Sequence, residues 1–419
     1  MAVPGDKSVS HRALMLGGIA QGRTIVRGFL EGEDCLATMA AMRSMGVRID
    51  REPGGAVEVE GVGLHGLSAA PGPLDMGNAG TAMRLFTGLL AGQDFDSVLV
   101  GDSSLMKRPM ERVAAPLRLM GAGIETSAGR PPVRIAGGRR LKGIDYRMEV
   151  ASAQVKSAIL LAGLYADGRS SVTEPAVTRD HTERMLRAFG VPVEVAGSTV
   201  SLLPSPLRAC EIEVPGDFSS AAFFLVAATV AGQAPLTIRN VGTNPTRTGL
   251  LDILRLMGAR IELTNERRAG DEPVADLVVH PAELRGIEVP ERLVPLAIDE
   301  FPVLFVAAAL AQGETVVTGA AELRVKESDR IGVMAEGLAA LGTAVEARPD
   351  GMWIRGGGLT GGVVDSQGDH RIAMSFAVAA ARASAPVRIL DVANVATSFP
   401  GFVGIARAAG LDLAAGGPP

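Results

Sequence analysis

Six times along this chain of 419 residues, an amphipathic helix pattern stops at a glycine and runs into an alternating strand pattern. The phrase reads Met42-Arg43-Ser44-Met45-Gly46-Val47-Arg48-Ile49, then Leu117-Arg118-Leu119-Met120-Gly121-Ala122-Gly123-Ile124. It returns at Met185 to Val193 and at Leu254 to Ile261, and in weaker form around Gly342 and Gly410. A glycine in the left-handed C′ position closes a helix and frees the chain for a strand. The spacing is roughly 70 to 85 residues, too long for a solenoid repeat and suited to a whole αβ subdomain. Three copies lie on each side of Val214-Pro215-Gly216-Asp217, a turn-rich joint that reads as a hinge. The expectation is therefore an α/β chain of two domains with three units each, 5–215 and 216–419, residues 1–4 joining the second. The tail Ala414 to Pro419 is expected to fray.

Composition agrees with two cores. The length exceeds one ordinary domain, and 47% hydrophobic residues suffice to fill large interiors. Aromatics are 4% while glycines number 52, so elements are expected to pack closely through small side chains. Cys35 and Cys210 form no disulfide framework and read as small core residues in a reducing cytoplasm. The chain shows no leader pattern and no bilayer-length apolar run, and no basic stripe with aromatics that would suit nucleic acid. The five histidines lack metal-ligand spacing. Gly61 to Gly66 matches G-x-G-x-x-G, but no helix pattern follows, so it is not a dinucleotide site. Gly5-Asp6-Lys7-Ser8 ends like a phosphate loop without that loop's upstream glycine.

The net charge of -5 means that an anionic substrate must be drawn by local cations rather than by the global field. Such cations cluster at predicted helix starts, where free N–H groups and the dipole favour anions. Asp6 or Ser8 caps a helix whose first turns carry Lys7, Ser8, Ser10, His11 and Arg12. Asn78-Ala79-Gly80-Thr81 opens another, and Gly80 allows close approach of a ligand to the backbone. Lys107-Arg108 precedes a helix opened by Pro109. Ser152 caps the apolar run that Gln154 and Lys156 enter, and Thr178-Arg179-Asp180-His181 precedes a further helix. In the second half, Asp299-Glu300 stands before an apolar run whose dipole two acids would satisfy. Glu322 to Arg330 fits a solvated helical face with i,i+4 pairs. Asp369-His370-Arg371 enters the last apolar helix.

Together these segments, from Pro4 to about Phe402, resemble the 5-enolpyruvylshikimate-3-phosphate synthases of the enolpyruvyl transferase family. The motifs that carry the resemblance are Lys7-Ser8 with Arg12, Asn78-Ala79-Gly80-Thr81, Lys107-Arg108-Pro109, Ser152-Ala153-Gln154, Asp299-Glu300, Lys326-Glu327 with Arg330, and Asp369-His370-Arg371. Leu85, Ala153, Thr178 to His181 and Thr397-Ser398-Phe399-Pro400 are similar to the second sequence class. The resemblance implies a two-domain inside-out α/β barrel with three βαβαββ units per domain. It implies transfer of the enolpyruvyl group of phosphoenolpyruvate to the 5-hydroxyl of shikimate 3-phosphate, with phosphate released and neither metal nor organic cofactor. Shikimate 3-phosphate would be held by Lys7, Ser8, Arg12, Ser152, Gln154, Arg179, Asp299 and Lys326. Phosphoenolpyruvate would be held by Lys7, Asn78, Gly80, Arg108, Gln154, Arg330 and Arg371. Asp299, Glu327 and Lys7 would move protons and charge, and closure about the joint would complete the site. The partners expected are these two small molecules, with no nucleic acid or membrane, acting on a monomeric cytoplasmic enzyme.

Three positions depart from the family pattern. Members usually begin with a strand upstream of Pro4, so the start is misassigned or the first strand lost. Other members carry a lysine near Thr397 that touches phosphoenolpyruvate, and this chain has none there. Second-class members often have alanine at Gly80, so glycine would leave room for glyphosate. Two alternatives stand beside this reading. UDP-N-acetylglucosamine enolpyruvyl transferase shares fold and donor, but needs a cysteine in the loop matching Gly101 to Arg108 and an asparagine at Ser8. A non-catalytic phosphometabolite-binding homologue would not need Asp299, Glu327 and Lys7 together.

Overall fold

The computed structural model describes residues 1–414 as an α/β protein; of the tail expected to fray, 415–419 lie outside the described residues. Two compact units divide the chain. One holds Gly5–Val214 together with Arg268–Glu272; the other holds Met1–Pro4, Pro215–Arg267 and the chain from Pro273 onward. Residues 268–272 form the tip of the hairpin Arg260–Ala269 and Glu272–His280, an exchange absent from the sequence reading.

The first unit carries three four-stranded sheets of one design, a parallel pair extended by an antiparallel hairpin. In the first of them Glu211–Glu213 pairs in parallel with Gln21–Arg27, which pairs with Val57–Val62 and that with Arg48–Arg51. The second unit repeats the scheme in sheets of three, three and two strands among the described residues. There Met1 donates its ammonium to the Thr237 carbonyl at 2.8 Å, and Ala2 bridges Arg239 in parallel. The residues before Pro4 thus lie along strand Leu236–Gly242.

The repeated phrase has one structural meaning. All six glycines, at 46, 121, 190, 258, 342 and 410, are left-handed, with φ from 85 to 103°. After each, the next amide reaches back five residues, as Val47 N to Met42 O at 3.1 Å and Ala259 N to Leu254 O at 2.8 Å. That closure satisfies carbonyls the helix end leaves open. A second clamp, unread in the sequence, recurs with it. Arg43, Arg118, Arg187, Arg255 and Arg407 each stand three residues before the glycine and donate to the carbonyl six residues on, Ile49, Ile124, Val193, Ile261 and Leu413. The fifth unit has Ala339 at that position.

Each unit is filled by three helices that are apolar nearly all round: Lys7–Ile19, Gly80–Leu90 and Ala153–Gly163 in the first, Phe218–Ala231, Phe301–Ala309 and His370–Ala380 in the second. Every residue of Phe301–Ala309 is buried, as is Val9 through Ile19 of the first helix. Amphipathic helices and sheets cover them. Small residues set the spacing. A Cβ on Gly88 would lie 2.2 Å from the Ala158 carbonyl oxygen, and its neighbours there are backbone.

Gly88→Val should therefore force the two helices apart and lower stability by about 1–3 kcal/mol. An unchanged urea midpoint would contradict that packing. His11 gives a pH-dependent counterpart. It is buried, its Nδ1 is 2.8 Å from Thr38 Oγ1, and burial together with Lys7 and Arg12 holds its pKa well below the ordinary value. Below about pH 6.5 the unfolded chain takes up a proton that folded His11 does not, so stability falls as pH drops, by up to about 1.4 kcal/mol per pH unit. His11→Asn should flatten that slope between pH 7 and 5 in urea titrations. Equal slopes for both proteins would refute it.

Candidate active site

Apolar helices leave polar chemistry to their ends, and both units place it at helix N-termini. In the first unit Asp6 caps helix Lys7–Ile19 by accepting from Val9 N at 2.9 Å, so the capping role falls to Asp6 rather than Ser8. Lys7 is paired with the buried Asp34. Arg12 is 4% exposed and donates to Thr182 Oγ1 at 2.6 Å, Ser157 Oγ at 2.9 Å and the Ser8 carbonyl at 2.9 Å. Burial brings its pKa down to about 10; Arg179 pushes the same way, and the carboxylates of Glu183, Asp6 and Glu272 oppose it. Two guanidiniums whose charges oppose one another suit an anion of more than one charge.

The next two helix starts form a single cluster. Ser152 caps Ala153–Gly163, and Gln154 in its first turn donates to Thr81 Oγ1 at 2.9 Å. Arg84, which sequence reasoning did not select, donates to Gln154 Oε1 at 2.8 Å and to the Pro109 carbonyl at 3.2 Å. Arg108 is buried and grips Asn78, donating to its side-chain oxygen at 2.6 Å and its carbonyl at 3.2 Å, while Asn78 donates to Asp102 at 2.8 Å. Lys107 is exposed, and Pro109 stands ahead of helix Glu111–Leu119 rather than inside it. A Cβ on Gly80 would lie 3.0 Å from Arg108 Nη1 and 3.1 Å from Arg84 Nη1. Asn78, Gly80, Arg84, Arg108 and Gln154 are thus one group.

In the second unit the expected solvated helix over 322–330 does not form. Ala321–Val325 is a 3-10 turn, and Arg330 begins the helix Arg330–Ala340 capped by Asp329. Arg330 is fully buried rather than solvated, because three carboxylates surround it. Its Nε donates to Asp369 at 2.8 Å, its Nη2 to Glu327 at 2.6 Å and its Nη1 to Asp299 at 3.3 Å. Burial alone would depress its pKa, but Asp369, Glu327 and Asp299 together raise it, so it is a fixed cation. Lys326 Nζ stands 3.7 Å from Asp299. Neither acid before the apolar run caps it: Glu300 turns to Ser219, and Asp299 faces Lys326 and Arg330. Asp369 caps helix His370–Ala380 through the Arg371 amide at 2.9 Å, which sets Arg371 in the first turn.

Two absences concern the described residues alone: no group of His, Cys, Asp and Glu there has metal-holding geometry, and no helix is long and apolar enough to cross a membrane.

Residues 1–405 match the family model described as EPSP synthase (3-phosphoshikimate 1-carboxyvinyltransferase). A protein named 3-phosphoshikimate 1-carboxyvinyltransferase from Methylococcus capsulatus is 62% identical over 98% of this chain and 94% of its own length. One of the same name from Alkalilimnicola ehrlichii is 62% identical over 99% of this chain and 94% of its own. A solved EPSP synthase from Acinetobacter baumannii superposes with a TM-score of 0.87 at 56% identity, covering 98% of this chain and 95% of that one. With sequence and fold matched from end to end, the chain belongs to the EPSP synthase family.

Proposed function

We propose that the chain joins the enolpyruvyl group of phosphoenolpyruvate to the 5-hydroxyl of shikimate 3-phosphate and releases phosphate, with the side chains described above in the following roles. Lys7, Ser8, Arg12, Ser152, Gln154, Arg179 and Lys326 hold shikimate 3-phosphate. Lys7, Asn78, Gly80, Arg108, Gln154, Arg330 and Arg371 hold phosphoenolpyruvate. Asp299 takes the proton of the 5-hydroxyl as its oxygen bonds to the central carbon of the donor. Glu327 and Lys7 serve the proton that reaches the methylene carbon, giving a tetrahedral adduct. Loss of that proton and of phosphate, with the carbon–phosphate-oxygen bond breaking, restores the double bond. The group supporting this assignment most directly is Asp299 and Glu327 on one buried guanidinium, with Lys326 Nζ 3.7 Å from Asp299. Fixed cations of this kind stabilise charge developing on substrate carboxylate and phosphate oxygens without reorganising.

The loop Gly101 to Arg108 contains no cysteine, which favours the shikimate substrate over a UDP-sugar. The working unit is proposed to be a monomer. The unbridged Cys35 and Cys210 suit the cytoplasm.

Coupled phosphate release should follow addition of phosphoenolpyruvate with shikimate 3-phosphate and not with UDP-N-acetylglucosamine. Asp299→Asn should lower kcat by ~10²–10⁴-fold. Turnover with the UDP-sugar, or native kcat in that variant, would overturn the assignment. Gly80→Ala places a methyl 3.0 Å from Arg108 Nη1 and 3.1 Å from Arg84 Nη1, so both guanidinium ends must give by a few tenths of an ångström. The variant should raise the KM for phosphoenolpyruvate and weaken glyphosate inhibition. Unchanged inhibition would show that the pocket at Gly80 has room to spare.

A further inference from the structure

Behind the residues assigned to shikimate 3-phosphate lies a buried ion triad that none of those roles uses. Lys156 is 1% exposed, and its Nζ is 2.8 Å from Glu174 Oε2 and 2.7 Å from Glu183 Oε1, both carboxylates being equally enclosed. Burial would lower the lysine's pKa, but Glu183 and Glu174 more than offset this, so the ammonium stays charged. Three chain segments meet there. Lys156 adjoins Ser157, whose hydroxyl takes Arg12 Nη2 at 2.9 Å. Glu183 adjoins Thr182, whose hydroxyl takes Arg12 Nε at 2.6 Å, and the two hydroxyls are 2.7 Å apart. Glu174 is hydrogen-bonded by the Thr178 hydroxyl and amide, and Lys156 Nζ reaches the Thr178 carbonyl at 3.5 Å, one residue before Arg179. The ammonium is therefore one residue removed from both hydroxyls that aim Arg12 and from the backbone that carries Arg179.

Buried triads of this kind often add little stability over well-packed apolar residues of the same volume, whereas removing one member leaves a buried charge unpaired. We propose that Lys156, with Glu174 and Glu183, is a positioning residue that sets Arg12 and Arg179 for the phosphate of shikimate 3-phosphate. The proposal rests on the assignment of Arg12 and Arg179 to that substrate. The geometry makes the expected effect specific to one substrate. Gln154 and Arg108 take their bonds from other residues, so the donor side should not follow.

Steady-state kinetics on the full chain test it with Lys156→Met, which strands two carboxylates, and with the triple variant Lys156→Met/Glu174→Gln/Glu183→Gln, which strands none. Both should raise the KM for shikimate 3-phosphate at least tenfold and leave the KM for phosphoenolpyruvate within twofold, and the triple variant should regain the thermal stability lost in the single one. If Lys156→Met does not fold, the triple variant decides. A native KM for shikimate 3-phosphate in the triple variant, or an equal rise in both constants, overturns the proposal. Arg179→Gln run alongside separates the two layers. A raised KM for shikimate 3-phosphate there, with a native one in the triple variant, overturns the positioning role alone; native values in both overturn the substrate assignment as well.

Discussion

Six helices that are apolar nearly all round fill the described residues, and the polar side chains of the candidate site gather toward their N-terminal ends. Their first-turn N–H groups have no partners inside the helix and carry the positive end of the dipole. The chain answers with carboxylate and hydroxyl caps: Asp6, Ser152, Asp217 and Asp369 each accept from an amide of the turn they precede. Gly80 enters its helix without such a cap, and its missing Cβ keeps space beside two guanidiniums. Lys7, Gly80, Gln154 and Arg371 stand in first turns, and Asn78, Ser152 and Asp299 just before them, because this is where such a fold has room for polar chemistry.

The covering helices use the same end. Arg108, Arg179 and Lys326 to Arg330 all lie at or just before the starts of Glu111–Leu119, His181–Ala188 and Arg330–Ala340. What separates these cations from ordinary surface charges is burial with specified partners. Arg330 without Asp369, Glu327 and Asp299 would be an uncompensated buried charge, a costly state. With them it is rigid, and a rigid cation stabilises developing negative charge better than one that must first be gathered from solvent. Asn78 performs the equivalent service for Arg108, and the hydroxyls of Ser157 and Thr182 for Arg12.

Much of the fold was legible in sequence because its signals are local. The six glycine stops, the apolar runs and the caps each involve residues within a few positions of one another. Even the arginine clamp is local, joining residues six apart three positions before five of the six glycines. The stretch 322–330 departs from its local pattern for the opposite reason. Its i,i+4 charges fit a solvated helix, but Arg330 finds Asp369, 39 residues on, and Asp299, 31 residues back. Arg84 escaped notice in the same way, since its partner Gln154 is 70 residues distant.

The sequence by itself determined the number of αβ units, where the six glycine-stopped helices end, and which helix starts collect cations. Those outcomes follow from backbone geometry, solvation and capping over one or two turns. Tertiary structure alone decided which cations are enclosed and which carboxylate or hydroxyl fixes each one. Arg12 meets Ser157 and Thr182 across 145 and 170 residues, and Lys156 meets Glu174 and Glu183 from separate segments. Desolvation and ion pairing depend on what the folded chain brings within a few ångströms, and no local pattern carries that information.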